Sequence, residues 1–282
     1  METQQRRQVC LAQNFLRNPK LARRLVGMSK IGPCDIVYEI GPGNGIITAE
    51  LASNARQVIA IEKDPELVRG LRERFCPLDN VEIVERDFLE YTLRKRRSDS
   101  AFSQRLGHET LESKYKIFGN IPYNITSQIV RKILYERSNI NEIHLVLQKE
   151  AAKKYSGSPK ESLCSILAKP FFEFGIVYQL RRTDFWPVPA VDSVLLSIKR
   201  RTHPLIERHE VTSYGDFVRY GFVRWKPNLR LAFKSVFTYN QWKHLARDLN
   251  FPLNATPTEL SFEQWLDLYR SFVKWTRRDH DS

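Results

Sequence analysis

The sequence predicts an α/β fold, a sheet with helices on both faces, followed by a small all-helical C-terminal domain. Three observations predict it. From residue 35 to about 200, short β-branched runs alternate with helical patterns, the alternation of a layered α/β sheet. The first run passes directly into Gly41-Pro42-Gly43-Asn44-Gly45, and a helix follows. After Arg200-Arg201-Thr202-His203-Pro204 the periodicity becomes helical throughout. A domain boundary is therefore expected between residues 1–203 and 204–282.

In chain order, a basic helix is expected over Pro19–Val26, then strands over Ile36–Ile40, Val58–Ile61, Val81–Val84, Lys116–Phe118, Ile143–Leu147, Phe171–Val177 and Val194–Ile198. Helices are expected between them at Ile46–Asn54, Pro65–Phe75, Ser127–Tyr135 and Glu150–Tyr155. The connection Thr92–Lys114 is long and polar and carries Arg94-Lys95-Arg96-Arg97; it reads equally as a solvated insertion or a contact loop. Beyond residue 204, helices are expected at Tyr214–Arg224, Leu229–Phe237, Asn240–Leu249 and Phe262–Val273. Ser261 and Gln264 form a capping-box start for the last. Aromatics such as Phe217, Phe233, Trp242 and Trp265 recur at helical spacing, which means packing.

Composition narrows the function. The formal net charge is +13, which points to a polyanionic partner. A membrane is the poorer candidate, because no run of 18 apolar residues exists and no long basic amphipathic helix has an aromatic opposite face. Nucleic acid is the better one. The start, METQQRRQVC, lacks the apolar stretch of a secretory signal, and Cys10, Cys34, Cys76 and Cys164 form no C-x-x-C pair. The expected setting is a reducing cytoplasm, with neither a zinc site nor a disulfide framework, and no metal.

Candidate site residues lie at the carboxyl ends of the strands, where such sheets hold ligands. Gly41 and Gly43 let the backbone turn sharply and approach a ligand. The spacing G-x-G-x-G, with Glu39 before it, leans away from the dinucleotide fingerprint G-x-G-x-x-G. Glu62 ends the next strand, 21 residues after Gly41, and suits ribose hydroxyls; a solvated strand-end acid is the alternative. Asp87 can accept from an adenine amino group while Phe88 packs on the ring. Asn120-Ile121-Pro122-Tyr123 follows the fourth strand. An exocyclic adenine amine is a poor nucleophile, since its lone pair is delocalised into the ring. Two acceptors, the Asn120 side-chain oxygen and the Ile121 carbonyl, would grip its hydrogens and aim the lone pair, catalysis by position and electrostatics. Tyr123 offers a face for a flipped-out base, worth about 1–3 kcal/mol on such platforms. A plain strand-to-helix turn is the alternative reading of the tetrapeptide. In Phe185-Trp186-Pro187-Val188-Pro189-Ala190-Val191-Asp192-Ser193, two prolines hold the chain extended; the segment either presents Phe185 to the other face of the base or simply closes the sheet.

As a set, Gln13-Asn14-Phe15-Leu16, Glu39–Gly45, Ile61–Asp64, Arg86–Leu89, Phe118–Ile125 and Phe185–Ser193 resemble the rRNA adenine N6-methyltransferases. That family holds the Erm enzymes, which give macrolide–lincosamide–streptogramin B resistance, and the KsgA-type dimethyladenosine transferases. The resemblance covers most of residues 10–200. It implies a Rossmann-like class I methyltransferase sheet, S-adenosyl-L-methionine as methyl donor, and cofactor positions at Asn14, Leu16, Gly41, Gly43, Glu62, Asp87 and Asn120. It puts Asn120, Ile121 and Tyr123 at the catalytic positions and Phe185 at the base-stacking one. Phe222–Trp225, Phe237–Gln241 and Leu260–Trp265 look like the Erm branch, which implies one adenine in the peptidyl-transferase loop of 23S rRNA, acted on by a monomer. Leu147–Glu150 looks more like KsgA-type relatives, which modify small-subunit rRNA, and the insertion at 92–114 is longer than the Erm branch implies. Three other readings are weaker. A non-catalytic RNA-binding module would tolerate decay of motifs that are intact here. A DNA adenine methylase would carry proline where Ile121 stands, and nothing would position a dehydrogenase's hydride acceptor.

Overall fold

A computed structural model describes residues 14–93, 115–135, 140–223 and 226–280. Gln13 of the first motif, most of the insertion after Thr92, and Arg224 and Trp225 lie outside them. The chain divides into two compact units. One comprises Met1–Ala152 with Gly175–Arg200, the other Lys153–Phe174 with Arg201–Ser282. The second unit thus takes in residues 153–174, which the boundary expected at residue 203 places with the sheet.

The first unit is built on a sheet. Its strands are β2 (Ile36–Ile40), β3 (Gln57–Glu62), β4 (Val81–Glu85), β5 (Tyr115–Asn120), β6 (Ile140–Gln148), β7 (Phe172–Leu180) and β9 (Ser193–Arg200). They are ordered β4-β3-β2-β5-β6-β9-β7. Strands β2 to β6 pair in parallel, while β9 runs antiparallel to β6. Every residue of β2 is buried, as expected for a central parallel strand covered on both faces. Val37, Val58, Phe118, Val146 and Leu195 share a core with Leu21, Leu25, Ile47 and Leu51. These come from helices α1 (Pro19–Met28) and α2 (Ile46–Asn54). The intervening residues Ile59, Ile117 and Ile143 point to the opposite face and are buried too.

Local chemistry starts the helices. Asn18 caps α1, its side chain accepting from Lys20 N at 2.9 Å, with Pro19 next. Asp64 and Pro65 do the same for α3 (Pro65–Phe75). Helices α4 (Thr126–Tyr135) and α5 (Lys149–Ser156) follow β5 and β6. A separate ribbon, invisible to periodicity, pairs β1 (Phe15–Leu16) with β8 (Phe185–Trp186), antiparallel.

The second unit holds α6 (Leu163–Ala168), which the sequence reading missed, and α7 (Val211–Val223), α8 (Leu229–Ala232), α9 (Tyr239–Asp248) and α10 (Phe262–His280). The helix expected over Leu229–Phe237 ends at Ala232, and the last helix runs beyond Val273. Phe217, Phe233, Trp242, Trp265 and Tyr269 form its core, as their spacing predicted.

Candidate active site

The parallel register brings the ends of four strands to one place. Each loop leaving a strand is tied back to a neighbouring one. Gly41 N donates to Ile61 O at 3.0 Å, Arg86 N to Glu62 O at 2.9 Å, and Ile121 N to Val146 O at 2.9 Å. The cleft so formed is lined by Asn14, Gly41, Gly43, Glu62, Asp87, Asn120, Ile121 and Tyr123, all named from the sequence.

Gly43 has φ +59°, a left-handed conformation, and a Cβ there would lie 2.7 Å from the Phe15 ring. The turn can hold its shape and keep Phe15 against it only without a side chain. Glu62 is pinned by its own main chain. Its Oε1 accepts from Lys63 N (2.9 Å) and Asp64 N (3.0 Å), and Oε2 from Gly43 N (3.3 Å). A carboxylate has about four acceptor positions, so it retains capacity for a ligand hydroxyl. Burial pushes its pKa up; the three N–H donors hold it down. Asp87 accepts from Leu89 N at 2.8 Å and faces Lys63 Nζ at 3.9 Å.

At the end of β5, Asn120 Nδ2 donates to Asn14 O at 2.6 Å. That bond fixes the amide so that its oxygen is left as the free end. Among the described residues, no group donates to the Ile121 carbonyl, while the Pro122 carbonyl is taken by Ile125 N and Thr126 Oγ1. Tyr123 is held through its hydroxyl, 2.6 Å from Ser193 Oγ. The pocket therefore presents two acceptors on adjacent residues beside an anchored aromatic ring.

Two sequence-predicted residues are not brought into the cleft. Leu16 and Phe185 pair with each other in the β1–β8 ribbon, and both side chains turn into the core, Phe185 with no exposed surface. Antiparallel pairing puts opposed residues on one face, so Phe15 and Trp186 share the other. Phe15 lines the cleft, and Trp186 is exposed. As placed, Phe185 has no face to offer a base. Lining residues that sequence reasoning missed are Phe15, Ile40, Ile61, Lys63, Arg86, Ile125 and Ile129. Ile40 and Ile61 were deducible as the last strand residues before Gly41 and Glu62, but Ile129 depends on how α4 leaves its turn.

Behind the glycine turn, Glu39 is buried, and neither carboxylate oxygen has a hydrogen-bond partner. Burial pushes its pKa up to about 8; Thr48 opposes this and Glu62 adds to it. The Thr48 hydroxyl lies near but is itself without a hydrogen bond. No group of three or more His, Cys, Asp or Glu is placed to share a metal, and no helix is long and apolar enough to cross a membrane, among the described residues.

Comparison with known proteins adds a family to this geometry. The family model described as ribosomal RNA adenine dimethylase matches residues 4–274. An rRNA adenine N-6-methyltransferase of Saccharopolyspora erythraea is 32% identical over 258 residues, 91% of this chain. The chain spans 63% of that relative's length. A ribosomal RNA small subunit methyltransferase A of Moorella thermoacetica is 35% identical over 214 residues, 74% of this chain and 73% of the relative. The crystal structure of the 23S rRNA methyltransferase ErmE superposes with a TM-score of 0.81 at 30% identity, covering 92% of this chain and 99% of that one.

Proposed function

Because the chain belongs to the ribosomal RNA adenine dimethylase family, a family of rRNA adenine N6-methyltransferases, we propose that it methylates one adenine in the peptidyl-transferase loop of 23S rRNA. Methyl groups there would fill the space macrolides occupy, giving macrolide–lincosamide–streptogramin B resistance. The observation that carries the reading is the pair of acceptors at Asn120 and Ile121, beside Tyr123, facing a glycine turn and two carboxylates across one cleft. The 23S assignment draws on the likeness to ErmE and on Phe222–Trp225, Phe237–Gln241 and Leu260–Trp265. We expect the enzyme to work as a monomer in the cytoplasm.

The cleft fits S-adenosyl-L-methionine, which when bound supplies an electrophilic methyl group. Ile61 and Phe88 offer apolar surface for a purine, Asp87 an acceptor for its amino group, and Glu62 a held carboxylate for ribose hydroxyls. Gly41 and Gly43 leave room that a Cβ at residue 43 would deny. Asn14 serves by fixing Asn120, and Leu16 by seating the ribbon.

The chain's own residues do the rest by position. The Asn120 oxygen and the Ile121 carbonyl accept the two hydrogens of the adenine amine, drawing its lone pair out of conjugation. Tyr123 stacks on the extruded base, its ring immobilised by Ser193. After transfer the nitrogen carries a positive charge and is strongly acidic. Its proton leaves to water without a dedicated base.

Mass spectrometry of 23S rRNA from cells expressing the chain tests this. A methylated adenine in the peptidyl-transferase loop is expected. Asn120→Ala should lower the transfer rate by about 10²–10³-fold, as loss of one electrostatic contact does elsewhere. A second reading rests on the Moorella relative and on Leu147–Glu150: the target is small-subunit rRNA. Methylation confined to the small subunit would replace the first reading with this one.

A further inference from the structure

A second cleft, of about 280 Å³, lies beside the β1–β8 ribbon, lined by Asn18, Lys20, Arg24, Tyr178, Arg181 and Asp184 over a floor of Leu21. Two chain segments meet there, the start of α1 and the end of β7, and Arg17 N donates to Asp184 O at 3.0 Å where they join. We propose that this cleft binds a phosphodiester of the RNA strand whose adenine enters the active site. The inference rests on the reading above that RNA is the substrate.

The charges carry the argument. Lys20, Arg24 and Arg181 converge on one concavity, and none has an acidic partner among the described residues. Arg23, next to Arg24, shows what the same helix does with a cation that has only a structural role. It reaches Glu50 at 3.2 Å. Arg24 instead lies over the Tyr178 ring, 4.7 Å from its centre, which fixes the guanidinium's orientation and leaves its hydrogen-bond donors unspent on acids. Gathering three like charges is unfavourable unless an anion joins them. The cleft's one acid, Asp184, has its Oδ2 occupied by a main-chain donor, Arg181 N, at 2.7 Å. Planar guanidinium forks and a lysine point charge are the donors that phosphate oxygens take.

Position selects the source of that phosphate. Asn18 follows Asn14 and Phe15, both in the active-site cleft, by three to four residues, at most about 14 Å of extended chain. Arg181 precedes the ribbon strand Phe185–Trp186 by four residues. The flanking phosphates of a strand with one base in the active site come within reach of this rim. A free phosphate has no such reason to be here.

The test uses the full chain with Lys20→Ala and Arg181→Ala, and Arg69→Ala on the exposed face of α3 as control. Arg24 is left intact because its ring contact also supports Tyr178. Affinity for a hairpin of the 23S peptidyl-transferase loop is followed by fluorescence anisotropy across a KCl titration. Each of the two substitutions should lower the slope of log Kd against log salt by about 0.7–0.9, the loss of one phosphate contact. It should weaken a scrambled hairpin equally and leave S-adenosyl-L-methionine binding unchanged, with Arg69→Ala matching the unaltered chain. Unaltered slopes for both substituted chains, or saturable binding of inorganic phosphate with no effect on the RNA slope, would overturn the inference. If the unaltered chain methylates RNA while the slopes stay the same, only this inference falls. If the unaltered chain binds no RNA, the functional reading falls with it.

Discussion

Buried polar groups separate the two units. In the sheet unit, Glu39, Thr48, Glu142, His144 and Ser197 each bury a side-chain atom that makes no hydrogen bond. Among the described residues of the helical unit there is none. Its buried polar atoms are spoken for: Trp242 Nε1 donates to Leu253 O, Trp265 Nε1 to Pro257 O, and Tyr214 Oη to Ile166 O. Three of the orphans stand in one row of the sheet, since the register aligns Glu39, Phe118, His144 and Ser197. An unsatisfied buried polar atom costs about 1–3 kcal/mol. The sheet unit bears that cost, with Glu39 directly behind the glycine turn and the others deeper in the sheet, whereas the helical unit pairs its buried polar atoms across elements.

The largest effect that sharpens this contrast concerns the ribbon, where one residue given a reactive role by resemblance sits as a core residue. Phe185 is fully enclosed by Leu16, Leu25 and their neighbours, and Trp186 beside it is 43% exposed. Phe185→Ala should lower the unfolding free energy by about 3–5 kcal/mol. Trp186→Ala should cost less than about 1 kcal/mol. Urea denaturation of the two variants measures both. Equal losses, or a larger one at Trp186, would break the account of which face of the ribbon is inside.

That ribbon also marks the limit of what the sequence discloses. Strands β2 and β3 are legible because each is an apolar, largely β-branched run buried almost throughout; Ile36–Ile40 is predicted to the residue. The cleft was legible because strand ends in such a sheet have one destination, and a glycine turn, Glu62, Asp87 and Asn120 recur in the right order. The β1–β8 pair was not, because two-residue strands have no period and are created by a tertiary contact. For the same reason the sequence leaves Phe185 between presenting itself to a base and closing the sheet. Leu229–Phe237 was read too long because its apolar pattern continues through Phe233 and Phe237, which enter the core from a turn and not from a helix. The sequence predicts a boundary only at residue 203 because β7 and α5 each run from one unit into the other without a break in their pattern.

A second test addresses the orphans. Glu39 has a folded pKa of about 8 against an ordinary 4.5. The folded state therefore keeps a proton that the unfolded chain has released, and stability falls as pH rises from 4.5 to 8. His144 works in the opposite direction. Burial, with Lys199 and Lys116 nearby, lowers its pKa to about 4, so it subtracts stability as pH falls below 6.5. Between pH 6.5 and 8 Glu39 acts alone of the two. Glu39→Gln keeps the uncharged shape, so the variant should be more stable than the unaltered chain, and its advantage should grow by roughly 1–2 kcal/mol from pH 6.5 to pH 8. Denaturant unfolding at the two pH values reads the difference. A constant advantage, or none, would mean that Glu39 finds a partner that compensates its charge.

The smallest effect probes the helical unit's economy. Its longest helix, α10, starts at a reciprocal cap: Ser261 N donates to Gln264 Oε1 at 2.8 Å, and Gln264 N to Ser261 Oγ at 3.3 Å. Gln264 does more than close the box. Its Nε2 donates to Leu249 O and Asn250 O, both at 3.0 Å, satisfying carbonyls that the end of α9 leaves without helical partners. One side chain thus ties the start of one helix to the end of the preceding one. Ser261→Ala removes a single cap and should cost about 1 kcal/mol. Gln264→Ala removes the return bond and both carbonyl contacts, and should cost more than Ser261→Ala. The ranking, measured by urea denaturation, is what matters. If Ser261→Ala were the costlier, the junction would be held by local helix initiation alone, and the claim that this unit pairs its polar groups across elements would lose its clearest example.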